Sequence, residues 1–130
     1  MPNLEIIKNL YASFAAGDVE GVLAAMRDDI VWNEAENFPY ADSNPYVGPQ
    51  AVLEGVFARC IGEWDGFAAN MTTFFDAGDH IIATGRYAGQ HKISGKSMQP
   101  QAVHIWTLKD GEITHFQQHI DTLAVDQAIS

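Results

Sequence analysis

Apolar positions along the chain recur three and four residues apart at first, and then, beyond about residue 66, mostly alternate with polar ones. The first spacing is that of helices with one buried stripe, and the second is that of strands with one buried face. Leu4, Ile7, Tyr11 and Phe14 share one face of a predicted helix that ends at Gly17. Asp18 reads as the N-cap of a second, short helix burying Val19, Val22, Leu23 and Met26. Ile30 to Glu34 interrupts the helical region with a β-prone run. Trp32 and Glu34 fall on one of its faces, Val31 and Asn33 on the other.

Residues 35–48 are rich in Asn, Pro, Tyr, Asp and Ser, which predicts a loop placed as a lid over whatever Trp32 and Glu34 face. A third helix is expected from Pro49, which suits a first helical position, to somewhere in 62–66. Its packed side carries Val52, Leu53, Val56, Phe57, Cys60 and Ile61. Strands are predicted over 67–76 and 81–91, joined at Gly78-Asp79, with a further turn at Ser94-Gly95 and a helical tail from Thr122.

The stretch 99–121 has the strongest pattern. Two alternating runs flank Asp110-Gly111, the mark of a β-hairpin. A three-residue loop at 109–111 pairs Leu108 with Glu112, Trp106 with Thr114, His104 with Phe116 and Ala102 with Gln118. One face then holds His104, Trp106, Phe116 and Gln118. Polar groups set between large aromatic rings suggest the wall of a pocket. The whole pattern reads as a single α+β domain over residues 1–130, helices first and a long, mostly antiparallel sheet afterwards. Such a sheet must curl around the first helices to hide its apolar face, leaving a cone with a mouth.

Composition narrows the chemistry. The net charge of −10, with only 7 Lys and Arg, argues against nucleic-acid or anionic-membrane partners. A lone Cys60 allows neither an intrachain disulfide nor a cysteine-based metal site, and fits a reducing cytoplasm. No leader-like start or membrane-length apolar run is seen, so no membrane partner is expected. Strand parity turns His104 inward but His115 and His119 outward, and no pair has helical ligand spacing, so no metal is expected. Asp121 reads as the N-cap of the last helix. Small Ala83 and Gly85 beside inward Tyr87 suggest space for a ligand, with Arg86 turned outward.

Several runs carry a family resemblance: Phe-Ala-Ala-Gly-Asp-Val-Glu-Gly-Val at 14–22, Asp-Asp-Ile-Val-Trp at 28–32 and Gly-Arg-Tyr-Ala-Gly at 85–89. His-Ile-Trp-Thr-Leu-Lys-Asp-Gly-Glu-Ile at 104–113 and the closing Gln-His-Ile-Asp-Thr complete the set. With these the chain resembles the SnoaL-like proteins, within the superfamily of nuclear transport factor 2 and ketosteroid isomerase. The resemblance implies a cystatin-like α+β barrel, three N-terminal helices packed in a curved sheet that encloses one pocket.

It also implies residue roles. Counting from Ala16-Gly17-Asp18, the isomerase's general-base aspartate falls on Glu34. Aligned on Leu108, its oxyanion-hole aspartate falls on His104, a possible hydrogen-bond donor to an enolate. Its first-helix tyrosine falls on Leu10, which argues against a steroid isomerase; Tyr11, Tyr40 or Tyr46 could replace it only with rings turned inward. Where the limonene-epoxide hydrolase pattern has a catalytic carboxylate on the last strand, this chain has Gln118.

The expected catalytic pair is therefore Glu34 and His104, with Trp32, Trp106, Phe116, Gln118 and Tyr46 as ligand-binding residues and no cofactor. The expected ligand is small, apolar and carbonyl-bearing. A non-catalytic binding or dimerisation module is the other reading. Val103, Ile105, Thr107, His115, Gln117 and His119 form a partly apolar outer face on which a homodimer is expected.

Overall fold

In a computed structural model, which describes residues 1–130, α1 (Asn3–Ala15) and α2 (Val19–Ala24) pack on each other and against a curved sheet. The turn between them is made by Gly17, whose φ of 78° places it in the left-handed region. From there Gly17 N–H bonds Phe14 O at 3.1 Å and Asp18 N–H bonds Ser13 O at 2.8 Å, the paired bonds of a Schellman ending. The Asp18 carboxylate then accepts from Gly21 N–H at 2.9 Å, capping α2. Such a cap contributes about 1 kcal/mol.

Strand β1 (Met26–Asn33) is followed by a 3₁₀ turn (Pro39–Ser43) and the short β2 (Tyr46–Val47). The next helical run, 49–63, consists of α3 (Pro49–Val52), a π-helical turn (Leu53–Phe57) and α4 (Ala58–Glu63). The wide turn shifts the buried stripe, which runs Val52, Val56, Phe57, Cys60 and leaves Ile61 at 50% exposure, outside the packed side expected for it. Strands β3 (Trp64–Ala77), β4 (His80–His91), β5 (Ser97–Met98), β6 (Gln101–Lys109) and β7 (Glu112–Ile120) follow, then α5 (Thr122–Ile129). Asp121 caps α5 by accepting from Ala124 N–H at 3.2 Å.

The sheet order is β2-β1-β7-β6-β4-β3, with β5 beside β4; β1 and β7 run parallel and every other pair is antiparallel. Helices and sheet together make the expected α+β cone. No helix is long and apolar enough to cross a membrane.

The hairpin register differs from the expected one. Asp110 and Gly111 both have positive φ (52° and 78°), giving a two-residue turn with Lys109 opposite Glu112 and Leu108 opposite Ile113. A bulge at Thr114 follows, visible as adjacent buried residues Ile113 and Thr114. Beyond it Trp106 faces Phe116, His104 faces Gln118 and Ala102 faces Ile120. The tighter turn and the bulge each move the pairing by one. A shift of two keeps parity, so the same four side chains still share the inner face.

Two further expectations change. The segment 35–48 is wall rather than lid: Phe38, Tyr40 and Tyr46 are buried in the core, and Arg59 holds Asp42 at 2.8 Å. The space beside Gly85 is not open to a ligand, because a Cβ there would lie 2.1 Å from Asn70 O and 2.7 Å from Met71 Cα. The neighbouring strand β3 fills that space, Met71 lying opposite Gly85 just before a bulge between Met71 and Thr73.

Candidate functional site

The inner ends of these elements enclose one cavity of about 50 Å³, of whose 16 lining residues 13 are hydrophobic. The remaining three are Glu34, His104 and Gln118, so no cation lines it. At about 10–15 Å³ per water, the volume admits a few water molecules. Tyr11, Phe14, Phe67 and Ala69 line it yet are only half-buried, which puts the mouth between α1 and β3.

Trp32, Trp106 and Phe116 build the floor. Pairing of β1 with β7 sets Trp32 beside Phe116, and the rings stack with centroids 3.8 Å apart. Trp106 meets Trp32 edge-on at 5.6 Å. These three rings are each less than 5% exposed, and a rigid aromatic floor fixes the groups set into it.

Glu34 follows directly on β1. Its backbone is held as a strand would hold it: Glu34 N–H donates to Asn44 Oδ1 at 3.0 Å and Asn44 Nδ2 donates to Glu34 O at 2.8 Å. The side chain, 3% exposed, enters the cavity with Oε2 unpartnered. Burial pushes the carboxyl up from 4.5 to about 8. The nearby Trp32 indole works against that rise, but its N–H does not reach hydrogen-bond geometry and is itself unpartnered.

His104 sits between two phenols. Tyr11 Oη lies 2.5 Å from Nδ1 and Tyr87 Oη lies 2.6 Å from Nε2. Burial pushes the imidazole down from 6.5 to about 3, so it is neutral at physiological pH. Trp106 Nε1–H donates to Tyr11 Oη at 2.9 Å, and Gln118 Nε2 donates to Tyr87 Oη at 2.9 Å. The other end of Gln118 is also used, Oε1 accepting from Ala35 N–H at 3.0 Å. Burial raises the pKa of both tyrosines, which stay protonated.

Six of the seven residues singled out in the sequence line this cavity: Trp32, Glu34, His104, Trp106, Phe116 and Gln118. Tyr46 does not. Its ring lies against Gly55 and its hydroxyl donates to Tyr40 O at 2.5 Å. Tyr40 is likewise turned away, donating to Glu63 at 2.9 Å. Tyr11 supplies the inward phenol, one residue after the position that ungapped counting assigns. Tyr87 was not singled out at all; its only sequence signal is inward parity with Ala83 on β4. No group of three or more His, Cys, Asp or Glu gathers to hold a metal ion.

A cone of this topology, enclosing one apolar cavity with a buried carboxyl and a phenol–imidazole row, is a protein of the nuclear transport factor 2-like class. The chain belongs to the SnoaL-like family, whose domain model matches residues 7–116. It is similar to a nuclear transport factor 2-like protein from Burkholderia thailandensis E264 at 34% identity and TM-score 0.92, covering 97% of this chain and 95% of that one. TerC, co-crystallised with polyporic acid, is 28% identical with TM-score 0.87, the match covering 99% and 98% of the two chains. A putative SnoaL-like polyketide cyclase from Jannaschia sp. CCS1 shares the fold at 19% identity and TM-score 0.82, covering 98% and 91%. No curated protein matches the chain.

Proposed function

We propose that the cavity binds a small, uncharged, mostly apolar carbonyl compound and moves a proton at the carbon next to the carbonyl. The reaction class is that of a cofactor-free isomerase, cyclase or lyase. Glu34 is the base that takes the proton, and the His104 row stabilises the oxyanion that results. The observation that carries this reading is the buried, unpartnered Glu34 carboxyl in an apolar cavity with a pKa near neutrality. A group poised there both removes a proton and returns it, whereas a purely structural carboxyl would be paired or solvated.

His104 acts through its neighbours rather than directly. Both ring nitrogens face tyrosine oxygens, so the hydroxyl that meets a ligand oxygen is a tyrosine's. Tyr11, half-buried at the mouth, is the donor in this reading. An uncharged substrate suits a lining without Lys or Arg, since a carboxylate entering it would lose its hydration with no cation in return. The relative co-crystallised with polyporic acid supports a small organic ligand. The experiment is proton exchange on an enolisable ketone, compared between wild type and Glu34→Gln; binding without exchange would favour a non-catalytic ligand carrier.

Assembly as a homodimer through the outer face of β6 and β7 belongs to the same proposal. Val103, Ile105, Thr107 and Gln117 there are only half-buried. Light scattering at micromolar concentration is expected to give twice the 14.3 kDa chain mass; a monomer mass would contradict it. The buried free thiol of Cys60 suits a reducing, cytoplasmic setting.

A further inference from the structure

The protons of the tyrosine–histidine row can be counted. Four contacts join five groups in line: Trp106, Tyr11, His104, Tyr87 and Gln118. Each contact uses one proton. Trp106 gives one from Nε1 and Gln118 gives one from Nε2, the amide orientation being forced because Oε1 must accept from Ala35 N–H. Neutral His104 supplies one N–H and each tyrosine one O–H, which makes five protons for four contacts. One hydroxyl proton is therefore left over. It belongs to whichever tyrosine accepts the N–H of His104.

Burial separates the two possibilities. Tyr87 is 5% exposed and walled in by Phe67, so a leftover proton there would be a buried donor facing an apolar lining. Tyr11 is the less buried residue of the two and lines the cavity from the α1 side at its mouth, so a leftover proton there, although withdrawn from bulk water, faces an entering ligand. We infer that His104 is held as the tautomer protonated on Nδ1, with Tyr87 donating to Nε2, so that Tyr11 alone presents a free hydroxyl proton to the cavity. His104, Tyr87 and Gln118 are then positioning residues that act through Tyr11.

A ligand preference follows. Accepting from both Trp106 and His104, the Tyr11 oxygen has no lone pair left, so Tyr11 can only donate. It reads an acceptor, such as a ketone oxygen, and offers nothing to a ligand N–H. At the far end Tyr87 keeps one lone pair and can only accept. The fitting ligand class is a carbonyl compound whose carbonyl lies at the mouth side and whose second polar group, where it has one, is a hydroxyl at the Tyr87 end. In the opposite tautomer these two preferences exchange places.

The inference rests on Tyr11 being the donor of the proposed reaction, but its test needs no turnover. Long-range ¹H–¹⁵N correlation on the ¹⁵N-labelled protein at neutral pH distinguishes a protonated, pyrrole-type nitrogen from a bare, pyridine-type one. The expected result is His104 Nδ1 pyrrole-type and Nε2 pyridine-type. Tyr11→Phe removes the acceptor at Nδ1 and is expected to move the proton to Nε2, with the amide spectrum otherwise preserved; a merely structural histidine would not change tautomer. A proton on Nε2 in the wild type, or on both nitrogens, overturns the assignment. A protein that exchanges no ketone proton but shows Nδ1–H would sink the proposed reaction and leave this assignment standing.

Discussion

The indole nitrogen of Trp32 and one carboxyl oxygen of Glu34, two residues apart on one face of the chain, are the two buried side-chain polar atoms without a hydrogen-bond partner. Leaving such a group unpaired costs about 1–3 kcal/mol. Both residues line the same cavity, so the fold places its least satisfied polar atoms where a ligand can reach them. A carboxyl in that position has a higher pKa, and stability should record it.

The first prediction concerns alkaline pH. Glu34 binds its proton more tightly folded, at about 8, than its ordinary value of 4.5. Above pH 4.5 the unfolded chain releases this proton while the folded chain keeps it, so stability falls as pH rises and levels off above about 8. At roughly 1.4 kcal/mol per pH unit, the loss amounts to a few kcal/mol. Urea denaturation of Glu34→Gln between pH 5 and pH 9 should lack this loss and leave the variant more stable than wild type at the alkaline end. Parallel pH profiles for the two proteins would show that the carboxyl is not buried as described.

Acid pH probes His104 with the opposite sign. Its folded pKa, pushed down to about 3, lies below the ordinary 6.5, so the unfolded chain binds the extra proton first. Its contribution to stability is complete above pH 6.5 and is lost as pH falls toward 3. His104→Gln should flatten this limb of the stability curve. A wild-type His104 whose NMR titration midpoint lies near 6.5 would contradict the neutral, doubly engaged ring.

Tyr11→Phe tests the donor. Loss of one preorganised oxyanion donor typically lowers kcat by about 10²–10³-fold. Steady-state proton exchange on cyclohexanone should fall by that range in Tyr11→Phe, measured at a temperature where the variant is still folded. The ring keeps its edge-on packing against Phe74 and Trp106, but Trp106 Nε1–H loses its acceptor, which lowers stability by about 1–3 kcal/mol. A variant that exchanges at the wild-type rate would remove Tyr11 from the reaction.

How much of this was legible in the residues depends on which force decided each feature. The inner face of the hairpin was readable because period-two alternation survives a register shift of two, even though the turn and the bulge at Thr114 were not foreseen. Residues 35–48 looked like a lid because their Asn, Pro and Ser content signals irregular backbone. Composition does not show that Phe38, Tyr40 and Tyr46 carry enough apolar area to become core. Gly85 looked like space for a ligand, yet the space is taken by the backbone of the paired strand β3 beside its bulge, and a bulge of this kind is not encoded in local pattern. Strand parity turns the carboxyl and the histidine inward, and the family resemblance is what assigns them roles. Tyr87 was missed because a tyrosine at an inward strand position looks like ordinary core until its hydroxyl is seen to meet an imidazole.

The central claim is that Glu34 takes a proton from carbon. Its most direct test is deuterium uptake from D₂O at the carbon next to the carbonyl of cyclohexanone, followed by NMR in the presence of wild type or of Glu34→Gln at equal concentration. Wild type should exchange faster by the 10²–10⁴-fold typical of a positioned general base, its rate rising with pH through the Glu34 titration near 8. Equal exchange in the two proteins, at any rate including none, would contradict it.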